Sequence, residues 1–451
     1  SLYDAGADRQ LEAPLERLEG SDTVLFFTPP PLANGTYTVA WRVVSTVDGH
    51  ETQGAFAFSV GEQTAAGPVD IDAFGTDQPP KALSVLSRWL TFVSTVLVVG
   101  TASFLLLVLA PALSREQVEP AARQRLGTLL RRAWLGFLLL ALPAALLALL
   151  LQAWRNAGGL GDGIDALGEI VVDSRFGRIW LVRLVCIGLL LELTWLFGRR
   201  LFALDRESLP ARALLLATAL VLPVTISLNS HAAAGEDLTL AATAADWVHT
   251  VGASVWLGGL ALLVLVLHVG LRSLEADDRA RLLAAIVSRF SVVAIGAVSA
   301  LVLTGVFQWA LRIGNLVDTF GSGYGQSLVA KTLLLAPMLL LGAYHLLRVS
   351  PALRRTVMQA RQLLPVERVF RGTLALEAGL GLAILLATAF LTDTSPPGLA
   401  SGTPAPAFET TQSVNDLDIR LTVDPARAGQ NEIRMALTDR RGAEEPVNAV
   451  L

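Results

Sequence analysis

Eight apolar segments constrain this chain more than any other feature. They lie near 86–111, 131–153, 178–198, 210–229, 244–270, 287–311, 325–347 and 370–391. Each is long enough to cross about 30 Å of hydrocarbon at roughly 1.5 Å per residue. A segment inside a bilayer must satisfy its own backbone hydrogen bonds, and a helix does so without a partner. The pattern predicts a polytopic all-α membrane protein of eight transmembrane helices. Of the 451 residues, 53% are hydrophobic and only 16% charged, which excludes an ordinary soluble globule.

The charges are sorted by loop. Nineteen arginines lie in or beside one set of inter-span loops, and four (Arg155, Arg175, Arg178 and Arg312) in the opposite set. Basic loops stay cytoplasmic. This predicts a membrane protein with both termini extracytoplasmic.

The two ends read differently. In 36–45, Tyr37, Val39, Trp41 and Val43 alternate with Thr36, Thr38, Ala40 and Arg42, and Phe56, Phe58 and Val60 repeat the pattern. Period two with one polar face predicts half-buried antiparallel strands. Residues 408–451 alternate again, with Leu417, Ile419, Leu421 and Val423, then Ile433, Met435 and Leu437. The expected organisation is a β-domain at 1–61, a Gly/Pro-rich linker at 62–84, the membrane domain at 85–391, a second linker at 392–407, and a partial extracytoplasmic β-domain at 408–451. No secretory signal precedes the first domain, so that domain is expected to be N-terminally incomplete.

An ionisable residue inside a bilayer is costly and is a functional candidate by default. Here the fourth segment ends at Asn229-Ser230-His231, and the fifth opens with Asp246, Trp247 and His249. Asp246 and His249, three apart, share a helix face. Imidazole ligates copper, zinc, nickel and haem iron, and a neighbouring carboxylate can orient it or ligate as well. His231, Asp246 and His249 are therefore the candidate metal site. Lys331, about two turns into the seventh segment, is a candidate ion-pair partner for Asp246. His268 and His345 fall near the other face and are candidates for an inner path. Glu192 and Glu377 are expected to pair with arginines at the interface. The single cysteine, Cys186, excludes internal disulfides and any cysteine-cluster metal site, and only three methionines are present. In the N-terminal domain, Asp48 and His50 flank Gly49 in a tight loop. Their nitrogen and oxygen donors suit Cu(II).

The run GTYTVAWRVVSTVDGHETQGAFAFSVG (35–61) resembles the C-terminal half of the CopC family of periplasmic copper-binding proteins. SHAAAGE (230–236), DWVHTVGASVWLGGL (246–260), SRFSVVAIGAVSALVLTGV (288–306) and YGQSLVAKTLLL (324–335) resemble the CopD family of copper resistance and uptake membrane proteins. The resemblance covers about residues 20–391. It implies an Ig-like copper-binding β-sandwich fused to an eight-helix copper-transporting domain, with an extra β-domain behind. It also implies that Asp48 and His50 help to bind Cu(II), together with a histidine at the mature N-terminus that this chain, opening at Ser1, does not carry.

The function expected is copper transport across the membrane, with uptake favoured because capture sits outside. Cu(II) would bind the β-domain and Cu(I) or Cu(II) the membrane site. A non-enzymatic role is expected, and ATP does not drive it within this chain, which has no nucleotide-binding motif. The expected partners are membrane lipid, the copper ion and periplasmic copper carriers, with no nucleic acid. Two alternatives stand beside it. Four helix histidines at two depths could ligate two haems, as in a b-type membrane cytochrome. The β-domains could instead serve a non-transporting copper sensor or scaffold.

Overall fold

A computed structural model describes residues 78–392 except 117, 206, 231–238, 273, 313–318, 321–322 and 359–363. Beyond that range it describes 29, 31–34 and the nine strands. The chain forms two compact units, one holding the helices over Asp77–Pro397 and the other the strands that flank them in sequence.

In the strand unit, β1 (Leu2–Tyr3), β2 (Gln10–Leu11), β5 (Gly35–Val44) and β6 (Glu51–Val60) form one sheet in the order β2-β1-β5-β6. A second sheet pairs β3 (Leu15–Arg17) with β4 (Leu25–Phe27), and a third pairs β7 (Phe408–Val414), β8 (Leu417–Asp424) and β9 (Glu432–Asp439) in sequence order. The ladder from Gly35↔Val60 to Val44↔Glu51 is antiparallel and unbroken. Tyr37 and Val39 pack with Leu2, as the alternation predicts. Thr36 and Thr38, expected on a solvated face, are buried as well.

Among the described residues, eight helices are long and apolar enough to cross a membrane, and the chain is a multi-pass membrane protein. We number them spans 1 to 8: Lys81–Arg115, Pro120–Ala157, Arg175–Leu201, Leu209–Leu228, Leu240–Gly270, Ala276–Leu311, Gly325–Leu353 and Val366–Leu391. Span 1 is the axis, with 78% of its most apolar stretch buried, against 11% for span 6 and 6% for span 7. A peripheral span turns apolar side chains outward, which is free of cost in lipid and not in water. Among the described residues, the main apolar core of the bundle runs from Val98 and Trp134 to Met338 and Leu374, with smaller clusters around Trp180 and around Val93 and Leu385.

Span 1 is central because two glycines let span 5 meet it backbone to backbone. A Cβ on Gly100 would stand 2.5 Å from the Gly258 Cα and 2.7 Å from the Ser254 carbonyl. Gly259, the next residue, faces the other way and takes the ring of Phe290 on span 6. Between spans 2 and 3 the glycine-rich loop folds into two short helices, Leu160–Asp165 and Leu167–Asp173. Gly158, at φ 75°, ends span 2 in the left-handed conformation that favours glycine.

Span 4 breaks between Leu209–Ala219 and Val221–Leu228. Pro223 has no N–H to continue the ladder. The Leu220 carbonyl at the break accepts from Trp247 Nε1 of span 5 at 3.2 Å. Arg175, opening span 3, donates to the Leu228 carbonyl at 3.1 Å, a cation at a helix C-terminus. Arg183, two turns further along span 3, donates to Thr225 Oγ1 at 2.9 Å. The last turns of span 4 are thus fixed on both sides just before residue 231.

Candidate metal site

His249 lies about ten residues into span 5 from the end of the bundle at which Lys81 opens span 1. Gly252, one turn on, and Gly259, a further two turns on, face span 6. A Cβ on Gly252 would stand 3.1 Å from the Ala297 carbonyl. This close approach lays Gly305 against the His249 ring, where a Cβ would be 3.6 Å from Cε1. One residue away, Thr304 Oγ1 is 3.0 Å from His249 Nδ1. The Thr304 hydroxyl spends its one proton on the Ala300 carbonyl, 2.6 Å away. It therefore accepts from the ring. With the proton on Nδ1, the lone pair belongs to Nε2, the tautomer in which imidazole binds a metal.

Asp246 is half-buried one turn before His249. It has no hydrogen bond or ion pair among the described residues. The expected Asp246–Lys331 pair is not among the ion pairs of the described residues, which are Arg279–Glu367, Arg371–Glu367, Arg281–Asp278 and His345–Glu377. His231, Asp48 and His50 lie outside the described residues. Near the same end, three buried polar atoms have no hydrogen-bond partner among the described residues: Ser227 Oγ and Asn229 Oδ1 at the close of span 4, and Gln308 Nε2 one turn beyond Thr304. Buried polar atoms without partners are rare in folded proteins and call for water, an ion or a ligand. Neither Thr304 nor Gln308 stood out in the sequence, since isolated polar residues in an apolar helix satisfy themselves on the preceding turn in most cases.

Among the described residues, the other two histidines have different partners. His268 Nδ1 donates to the Val264 carbonyl of its own helix at 3.0 Å. His345 has both ring nitrogens engaged, Nε2 with Thr373 Oγ1 at 2.8 Å and Nδ1 beside Glu377 Oε2 at 2.9 Å. Glu377 thus meets a histidine and not the arginine expected for it. Glu192 is exposed and has no ion pair among the described residues. Cys186 Sγ points at the Thr218 carbonyl, 3.2 Å away, and Met338 is fully buried in the apolar core. No group of three or more His, Cys, Asp or Glu side chains that could hold a metal occurs among the described residues. A site built from three such side chains therefore needs a residue outside them.

Three sequence families match the chain in order. The CopC domain covers residues 3–61, the N-terminal domain of copper resistance protein D-like proteins covers 79–240, and copper resistance protein D covers 284–391. The chain carries the matches expected of a fused CopC–CopD protein, in order. The CopC–CopD chain is also 28% identical over 423 residues to the copper transport protein CutJ of Bacillus subtilis (strain 168), a match spanning 93% of this chain and 71% of that protein. Residues 241–283 of the CopC–CopD chain, which hold Asp246, His249 and His268, fall between two of the matched segments.

Proposed function

We propose that this chain transports copper across the cytoplasmic membrane, and that His249, held by Thr304, is the membrane ligand that receives the ion. The observation that carries the reading is the co-linear match to one copper-binding and two copper-resistance families, over a bundle in which the imidazole of His249, one turn from Asp246, is oriented by the Thr304 hydroxyl. CutJ, similar along nearly the whole chain, is named as a copper transport protein.

In this reading the N-terminal strands form an Ig-like sandwich outside the membrane, and Asp48 and His50 bind Cu(II) there. His231 and Asp246 complete the membrane site with His249. The arginine-poor loops lie outside and the arginine-rich loops inside, so capture outside makes uptake the favoured direction. The di-haem reading is not favoured. Haem ligation needs a ring nitrogen with an open lone pair, and both nitrogens of His345 are already engaged.

Copper accumulation in cells expressing the full chain tests the reading. Expression should raise cell copper above a vector control, and His249→Ala should return it to that control. Equal accumulation in all three would refute transport.

A further inference from the structure

Away from His249, the expected inner-path residue His345 is buried among the spans in a pair with Glu377, with both ring nitrogens engaged. His345, 8% exposed, opens a π-helical segment, His345–Val349, within span 7. Glu377, 1% exposed, faces it from span 8. π-helical turns inside α-helices occur preferentially at functional sites.

The hydrogen bonds fix how many protons the pair holds. The Thr373 hydroxyl gives its proton to the preceding turn of its own helix, 3.0 Å from the Val369 carbonyl and 3.1 Å from that of Phe370. It can only accept from His345, so Nε2 carries a hydrogen. On the other side, Nδ1 and Oε2 would repel at 2.9 Å as two lone pairs. One further proton belongs to the pair, as imidazolium with carboxylate or as imidazole with carboxylic acid. Both forms are neutral overall. This is a close contact and not a hydrogen bond: Glu377 Oε2 has no hydrogen-bond partner among the described residues and keeps acceptor capacity.

The pair also lines a cavity. A half-open cavity of about 240 Å³ lies between spans 5, 6, 7 and 8, walled by Trp256, Leu260, Phe290, Leu339 and Phe370, and it ends on His345 and Glu377. They are the only titratable groups among its described lining residues. Charged and titratable groups elsewhere on the packed elements are otherwise engaged or distant in sequence. On span 8, Glu367 and Arg371 pair with each other, and Arg371 also donates to the Leu267 carbonyl at 2.8 Å. Arg279 of span 6 pairs with Glu367. Arg289 of span 6 lies beside Arg115 of span 1. His268 of span 5 is bonded to its own helix. Arg348 and Arg368 share the ends of spans 7 and 8, and Lys331 lies fourteen residues before His345 on span 7. Tyr344 contacts the imidazole by its ring, with centroids 6.0 Å apart.

We propose that His345 and Glu377 form a buried proton-binding site that exchanges its proton through this cavity as copper crosses, so that transport is coupled to protons. The proposal rests on the copper-transport reading. Losing the proton leaves an uncompensated buried carboxylate, which a cation passing through the bundle would offset.

The test uses the full chain in proteoliposomes with a pH-sensitive dye inside, and copper added outside as Cu(I) with ascorbate or as Cu(II). In the wild type, copper entry measured by elemental analysis should be accompanied by a dye response. Glu377→Gln should reduce that response at least tenfold, with copper bound per chain and size-exclusion profile unchanged. Copper entry without a dye response in the wild type, or an undiminished response in Glu377→Gln, overturns proton coupling and leaves the transport reading standing. Wild-type vesicles that take up no copper overturn both. Should Glu377→Gln fail to fold, infrared difference spectra of the wild type between acid and alkaline pH decide. A carboxyl band that changes with pH and is shifted in Thr373→Val supports the site, and its absence overturns it.

Discussion

His249 Nδ1 lies 3.0 Å from the Thr304 hydroxyl, and since that hydroxyl already donates to Ala300, the ring is held as the Nδ1–H tautomer. Removing an outer partner that orients a ligating histidine costs about 10–100-fold in metal affinity. Thr304→Val should therefore weaken copper binding by about tenfold in a competition titration of the full chain, while Thr304→Ser, which keeps the hydroxyl, should stay near wild type. An unchanged affinity in Thr304→Val would mean that this tautomer is irrelevant to copper.

The crossing of spans 1 and 5 should be intolerant of a single methyl group. A Cβ on Gly258 would stand 2.7 Å from the Gly100 Cα, where only backbone could move. Overpacking of this kind costs about 1–3 kcal/mol. Gly258→Ala should lower the unfolding temperature in detergent, whereas Gly296→Ala, with nothing within 4 Å of its Cβ, should not.

Glu367 is buried between Arg279 of span 6 and Arg371 of span 8. Removing one partner of a buried ion pair leaves charge uncompensated, at roughly 3–5 kcal/mol. Glu367→Ala should thus destabilise the bundle strongly in thermal unfolding. Asp278→Ala breaks the exposed pair with Arg281, and exposed pairs contribute about 0–1 kcal/mol. The two variants should separate clearly.

Asp205 lies in the loop between spans 3 and 4. Burial alone would raise its carboxyl, but hydrogen bonds from Ser208 and the charges of Arg212 and Arg123 outweigh it and hold the group below its usual 3.8. A carboxylate lowered on folding stabilises the protein above the unfolded value and loses that contribution as pH falls through the folded value. Asp205→Asn should therefore lower stability slightly at neutral pH, and the difference from wild type should vanish at pH values well below 3.8. A difference that persists or grows in acid would contradict this.

Much of this architecture is legible in the residues. The span centres follow from apolar length alone. Their ends do not: the segment expected at 131–153 continues as helix over Pro120–Ala157, because the arginine-rich turns beyond the hydrocarbon stretch remain good helix formers. The break in span 4 depends on Pro223 and on a carbonyl shared with Trp247, a tertiary contact. Within the site, His249 was visible because a histidine in an apolar helix is rare. Thr304 was not, since its role depends on which residue of span 6 the glycines of span 5 bring close. The same holds for Glu377, whose charge pointed to an arginine while packing supplied His345.

The most direct test of the central claim is the metal content and visible absorption of the purified full chain beside its His249→Ala variant. The account predicts copper in the wild type with no Soret band, and less bound copper in the variant at equal folding. Equal copper in both proteins, or a haem band lost with His249, would contradict it.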